Sequence, residues 1–108
     1  MSRSPLTTGT PLSPALELIF ARWTPHLLWL LGRHDVLRFG EIERRLAIGT
    51  AILSRRLREL EAEGLITRTL HPGHPARVDY ALTDLGRTVL PVLARVVEWS
   101  DAHRPESC

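Results

Sequence analysis

Residues Ser54 to Leu70 read SRRLRELEAEGLITRTL, and the spacing of the apolar side chains changes within this stretch. Up to Leu60 the leucines recur at intervals of three or four residues, as they do along one side of a helix. Gly64 then interrupts the pattern, and glycine is the residue expected just past a helix C-terminus. The stretch predicts a helix over Thr50 to Glu63, followed at once by a segment with strand composition.

The segments on either side complete a recognisable arrangement. Before Gly49, the segment FGEIERRLAI places Phe39, Ile42 and Leu46 on one side of another helix, and two helices joined by a short turn form a helix-turn-helix. After Gly64, LITRTLH and ARVDYALT flank the turn PGHP, which predicts a β-hairpin with a tip of four or five residues. The expected fold is mainly α with a small β-hairpin (α+β), a winged helix-turn-helix of about five helices and a two-stranded wing.

Three further helices are predicted from their start signals. Ser13-Pro14 and Thr24-Pro25 each resemble an N-cap followed by a first helical residue, and they begin helices that run to about Arg22 and Gly32. The second of these is apolar nearly all round, which is typical of a buried central helix. Thr83 caps a last helix that runs to about Ala102, with Pro91 on an exposed turn or at a kink.

The domain organisation follows from these elements. Residues 1–12 are rich in Ser, Thr, Pro and Gly and predict a flexible N-terminal arm. We expect residues 13–102 to form one winged helix-turn-helix domain and residues 103–108 to form a frayed tail. No apolar run reaches the roughly 18 residues of a membrane span, and the N-terminal segment lacks the apolar core of a signal peptide. We therefore expect a cytoplasmic protein without a membrane partner.

Several function classes are disfavoured by residue content. Cys108 is the single cysteine, so neither an intrachain disulfide nor a cysteine-based zinc cluster is expected. His71 and His74 share one turn, but no third ligand is apparent beside them, so we predict no metal site. The sequence shows neither a glycine-rich phosphate loop nor a nucleophile with its base, and no pattern indicates a cofactor. An enzyme is not expected.

The basic residues indicate a nucleic-acid partner through their placement. All 14 of them are arginine, a bias that a GC-rich genome would also produce, and the net charge is only +2. At about 100° per residue, the leucines of the helix over 50–63 form one inward stripe. The opposite side carries Ala51, Ser54, Arg55 and Arg58, and Thr50 lies at the helix start. We predict that Thr50, Ser54, Arg55 and Arg58 contact bases in the major groove of double-stranded DNA.

A second group is predicted to contact DNA phosphates or the groove beside the wing: Arg38, Arg56 and Arg77. An alternative remains open for the helix itself, since Arg55 and Arg56 are also spaced to form surface ion pairs with Glu59. The following hairpin favours DNA, because Arg68, His71, His74 and Arg77 would extend the basic surface along the wing.

Four segments together resemble the HxlR-type family of bacterial winged-helix transcription regulators: RWTPHLLWLL, RFGEIERRL, ILSRRLRELEAEGLITR and RVDYALTDLGRTVLPVLARVVEWS. The resemblance spans about Pro14 to Ser100, and the piece LRELEAEGLI is shared with MarR-like relatives. It implies a homodimer in which the N-terminal and C-terminal helices pack across a two-fold axis, with two recognition helices on a pseudo-palindromic operator. The apolar residues expected at that interface are Leu16, Ile19, Phe20, Val92, Val96 and Trp99.

The chain departs from the family pattern at two places. Family members usually carry a cysteine just before the first helix, where this chain has Leu12-Ser13-Pro14, so thiol-based sensing of that kind is not expected. Gly49 and Ala51 stand where members often have Ser and Lys, which leaves the operator sequence open. The expected function is sequence-specific transcriptional regulation, with repression favoured and with the existence of a small-molecule effector left open. The alternatives are a protein-interaction module and a non-specific architectural DNA-binding protein.

Overall fold

The structure is a computed structural model that describes residues 13–103. The predicted arm, residues 1–12, and residues 104–108 of the predicted tail lie outside the described residues. The helices of the described part are α1 (Pro14–Ile19), α2 (Thr24–Gly32), α3 (Phe39–Leu46), α4 (Thr50–Ala62), α5 (Asp84–Arg87) and α6 (Leu90–Ala102). Its strands are β1 (Leu37–Arg38), β2 (Ile66–His71) and β3 (Arg77–Leu82). The predicted winged helix-turn-helix is confirmed.

The first two helices differ in how they begin. Ser13 caps α1 as predicted, since its hydroxyl accepts a hydrogen bond from the Leu16 amide at 3.2 Å. The predicted cap at Thr24 is wrong, because Trp23 takes that position with a left-handed φ of 78° and Thr24 is already inside α2. The Thr24 hydroxyl is buried, and no group in the described part of the chain forms a hydrogen bond with it. The helix α1 ends at Ile19, before the predicted Arg22, and residues 20–23 form the turn between the helices.

The helix-turn-helix consists of α3 and α4 with residues 47–49 between them. Glu41 stabilises the start of α3, because its carboxylate accepts a hydrogen bond from the Arg38 amide at 2.8 Å. In α4 the predicted inward stripe is confirmed, since Leu53, Leu57 and Leu60 are all buried. The outer face of α4 is therefore fixed by the packing of its opposite side.

The wing is a three-stranded antiparallel sheet with the strand order β1-β3-β2. The predicted hairpin pairs from Ile66 opposite Leu82 to His71 opposite Arg77, with residues 72–76 at its tip. The additional strand is β1, whose Leu37 pairs with Tyr80. Two residues are too few to show a hydrophobic period, so the sequence did not indicate this strand.

A joint of hydrogen bonds closes the wing at its base. The Thr83 hydroxyl donates to the carbonyl of Gly64 at 2.6 Å and accepts from the Gly86 amide at 2.9 Å. Gly64 has a left-handed φ of 76°, and a Cβ on Gly86 would lie 2.2 Å from the carbonyl oxygen of Leu65. Thr83 therefore caps the next helix as predicted and also joins that helix to the end of α4.

The predicted single C-terminal helix is in fact two, because the chain breaks between α5 and α6 at Thr88 and Val89. Pro91 lies in the first turn of α6, where a missing amide hydrogen breaks no helical bond. It is exposed there, which agrees with the first of the two predicted alternatives, and it starts a helix rather than kinking one.

The core lies between α2, α3 and α4 and is closed by the sheet. Leu27, Leu28 and Leu31 of α2 are fully buried, as predicted for a central helix, although Trp29 on the same helix stays 41% exposed. None of the helices in residues 13–103 has both the length and the apolar composition needed to span a membrane. Polar and apolar surfaces outside this core are the places where a partner can bind.

Candidate nucleic-acid interface

The outer face of α4 carries the residues predicted to reach DNA bases. Thr50, Arg55 and Arg58 are exposed, and Ser54 is partly buried between them. Within residues 13–103, no hydrogen bond or ion pair engages the Arg55 guanidinium. The Arg55–Glu59 pair that the spacing allowed is not formed, so this arginine is available to an external acceptor.

Arg58 is held in place by its neighbour one turn earlier. Its Nη1 donates to the Ser54 hydroxyl at 2.8 Å, which draws the guanidinium along the helix towards the N-terminal end of α4. Ser54 and Arg58 line a depression of about 470 Å³ together with Arg68 of β2 and Phe39 of α3. The structure thus brings a recognition-helix arginine and a wing arginine to one concave surface, as a DNA-binding site requires.

Thr50, at the start of α4, has a partner that the sequence did not indicate. Its hydroxyl donates a hydrogen bond to the carboxylate of Glu43 on α3, which braces the two helices of the helix-turn-helix against each other. Glu43 was expected to face solvent, and a contact between residues seven positions apart on different helices leaves no periodic signal. The Thr50 hydroxyl would therefore have to contact a base, as predicted, while it also donates to Glu43.

Arg56 points away from the outer face. Its Nε donates to the carbonyl oxygen of Arg22 at 2.9 Å, and its Nη1 lies 2.8 Å from Glu59 Oε1. The side chain is only 16% exposed. The predicted phosphate contact of Arg56 has no support in this arrangement, whereas the alternative of an ion pair with Glu59 is the one that forms.

Arg38 and Arg77 lie together near the tip of the wing hairpin. Both line a depression of about 430 Å³ with residues 75 and 76 of the hairpin tip, and both side chains are exposed. Arg77 Nε also lies 3.5 Å from Asp79 Oδ1, while His71 Nε2 lies 3.0 Å from Asp79 Oδ2. The two arginines form a second basic area beside α4, although Asp79 partly neutralises it.

The residues predicted at a dimer interface form an apolar surface on α1 and α6. Phe20 is 70% exposed and Trp99 is 63% exposed, Leu16, Val92 and Val96 are also exposed, and Ile19 is partly buried. The set predicted from the sequence did not include Val97 or Trp29. Both line an open groove of about 800 Å³ with Phe20, Leu30 and Val96. Large exposed apolar surfaces are typical of regions that contact another molecule.

Comparisons with known proteins agree on the kind of protein to which this chain is similar. A family model described as HxlR-like helix-turn-helix matches residues 18–108. The chain is 40% identical over 91 residues to an uncharacterised HTH-type transcriptional regulator of Halalkalibacterium halodurans, a match that covers 83% of this chain and 80% of that protein.

Two solved structures are similar over most of their length. The redox regulator HypR in its reduced form has a TM-score of 0.76 and 33% identity, and the match covers 84% of this chain and 90% of that one. The reduced form of the transcriptional regulator YodB from B. subtilis has a TM-score of 0.75 and 26% identity, with 99% of this chain and 100% of that one covered.

Proposed function

Since this chain belongs to the HxlR-like helix-turn-helix family of transcriptional regulators, we propose that it binds a specific DNA operator as a homodimer. The outer face of α4 is the observation that carries the proposal. Within residues 13–103 Arg55 has no internal partner and Arg58 is oriented by Ser54, and arginine is the usual bidentate partner of guanine. A good pair of this kind contributes roughly 1–3 kcal/mol of discrimination against a wrong base.

The basic area beside α4 supplies the second part of the interface. Arg38 and Arg77 would contact neighbouring phosphates beside the groove that α4 enters, and Arg68 would join Arg58 from the wing. Phosphate contacts fix the register of a protein on DNA without reading sequence. In this proposal α4 provides the specificity and the wing provides the position. We no longer assign a DNA contact to Arg56.

The apolar surface on α1 and α6 supports the dimer. Phe20 and Trp99 are large side chains that remain mostly in water in a single chain, and a second copy would cover them by a two-fold arrangement. Two copies of α4 would then meet two half-sites about one helical turn apart, which makes the operator a pseudo-palindrome. A dimer seated on such a site excludes other proteins from that DNA, so we propose repression in the cytoplasm, without catalysis.

Selection of bound sequences from a random duplex pool tests the proposal. We expect the wild type to enrich an inverted repeat, with about 10³-fold or greater preference over random DNA at physiological salt. The double variant Arg55→Ala/Arg58→Ala should lose the enrichment. The double variant Arg87→Ala/Arg95→Ala removes the same charge from exposed positions of α5 and α6 and should retain it.

Other outcomes of the selection would point elsewhere. Uniform binding with a steep salt dependence would indicate an architectural DNA-binding protein. Absence of binding would leave a protein-interaction module. An enriched sequence that both double variants keep would show that α4 is not the reading element.

A further inference from the structure

Arg56 connects the recognition helix to a part of the chain far away in sequence. Its Nε donates to the carbonyl of Arg22, 34 positions earlier, at 2.9 Å, while Glu59 holds Nη1 from the same helix at 2.8 Å. The Arg56 side chain as a whole is 16% exposed, and each of these bonds is assisted by the charge of the guanidinium. The planar guanidinium of Arg56 donates to both acceptors at once, and the single ammonium of lysine does not reproduce this geometry.

The acceptor of this bond lies in the turn that sets the direction of α1. Residues 20–23 join α1 to α2, and Trp23 there adopts a left-handed φ of 78°, a conformation that is rare for a bulky residue and persists only where the surroundings hold it. The Arg22 guanidinium lies 5.7 Å from the centre of the Trp23 ring. Arg56 therefore binds the backbone at the strained point of the turn.

Leu18 of α1 packs in the core, but a depression of about 300 Å³ separates part of α1 from α4. It is lined by Pro14, Leu18 and Ala21 on one side and by Arg56, Ala62 and Glu63 on the other. Within residues 13–103, no further hydrogen bond or ion pair joins α4 to residues 13–23. The bond from Arg56 is thus the polar link across this gap.

We infer that Arg56 is a positioning residue that couples the dimer helix α1 to the recognition helix α4, and so sets the spacing between half-sites that the homodimer accepts. The inference rests on the proposed function. Successive base pairs are about 3.4 Å apart along the DNA axis, so a shift of about 1.7 Å in each α4 changes the matching spacing by one base pair. Small movements at the turn consequently change which operators fit.

The test uses a set of duplexes with the selected half-site alone and with inverted repeats whose spacing varies by single base pairs. Arg56→Met keeps the aliphatic stem and removes the donors. We expect its affinity for the lone half-site to stay within about twofold, its affinity for the best repeat to fall about tenfold, and its spacing profile to broaden. Arg56→Lys keeps the charge without the fork and should fall between Arg56→Met and wild type.

Arg55→Met on the same helix gives the contrasting pattern, because we place Arg55 against the bases. It should weaken the half-site and every repeat by the same factor and leave the shape of the spacing profile unchanged. Equal losses on half-site and repeat in Arg56→Met would show that Arg56 contacts DNA instead, and an unchanged spacing profile would show that it couples nothing. Either result overturns the inference.

A measurement without DNA separates this inference from the proposed function. Hydrogen exchange of the backbone amides of residues 20–24 should be about tenfold faster in Arg56→Met than in wild type, while the amides of α2 beyond them stay protected. If the wild type prefers no inverted repeat, the proposed function is refuted. The hydrogen-exchange result would still show whether Arg56 holds the turn. Unchanged exchange in both Arg56 variants would refute the coupling whatever the DNA results.

Discussion

The core of the protein and the outer surfaces of α1 and α6 both consist of apolar side chains, but only the core is covered by other elements of the described chain. Leu27 and Leu28 are 0% exposed, whereas Phe20 is 70% and Trp99 is 63% exposed. In both places the sequence shows apolar residues at helical spacing. The difference arises because α3, α4 and the sheet cover α2, while no described element covers the outer sides of α1 and α6. Periodicity therefore reports that a face is to be buried, but not by which molecule.

The largest expected effect is in the interior. Leu28→Ala should lower the free energy of unfolding by about 2–5 kcal/mol, because it removes buried methyl groups and leaves a cavity. Leu16→Ala removes the same atoms from a side chain that is 42% exposed and should cost well below half as much. Urea denaturation at a concentration where the chain is monomeric measures both. Equal losses would abolish the distinction between the two regions.

A second prediction concerns the joint beneath the wing. Gly86→Ala should destabilise the fold by about 1–3 kcal/mol, because the added Cβ would meet the carbonyl oxygen of Leu65 at 2.2 Å and force the backbone apart. Gly40→Ala is the control inside α3, where the new Cβ would make only an ordinary contact at 3.6 Å. It should stabilise by about 0.5–1 kcal/mol through helix propensity. Thermal unfolding would show shifts of opposite sign, and a shared sign would contradict the close approach.

The interior contains a buried polar group whose removal should stabilise the fold. Thr24 is fully buried and its hydroxyl has no hydrogen-bond partner within residues 13–103, so Thr24→Val should raise the free energy of unfolding by about 1 kcal/mol at nearly constant volume. Thr24→Ser keeps the hydroxyl, loses a methyl group and should lower it. Denaturant titration decides between the two. If Thr24→Val is the less stable variant, the hydroxyl has a partner in solution.

The smallest effect on the isolated chain is expected on the open surface. Val96→Asp should change the stability of the monomer by no more than about 0.5 kcal/mol, since the side chain is 49% exposed. It should nevertheless prevent dimer formation, because a carboxylate buried between two copies would be desolvated. Sedimentation equilibrium measures this, with Glu98→Lys, on the side of α6 opposite Val96, as the control. A Val96→Asp variant that still dimerises would place the interface elsewhere.

The features predicted correctly from sequence depend on neighbours along the chain. The Ser13 cap, the inward leucines of α4 and the hairpin each involve residues a few positions apart, where spacing and turn chemistry are informative. The features missed are contacts between distant residues. Glu43 and Thr50 meet across two helices, and Arg56 finds a carbonyl 34 positions away.

The candidate site likewise has one part that the sequence predicts and one part that it does not. That Arg55 and Arg58 face outward follows from the burial of Leu53 and Leu57, which the helical period already indicates. That Arg56 faces inward does not follow from the period, because its partner belongs to a turn whose path only the folded chain defines. The DNA contacts of the outward residues stay predictions until binding is measured.

Asp79 in strand β3 of the wing affects how many cations would be released when the protein binds DNA. Binding of a cationic group to DNA normally releases a condensed cation from the phosphates, and affinity then falls with salt in proportion to the number of such contacts. Arg77 and His71 already share the carboxylate of Asp79. A phosphate would have to displace or share this internal anion, so Arg77 would add less to the salt dependence than its charge suggests. The Asp79 carboxylate is thus a counterion of Arg77 that belongs to the protein itself.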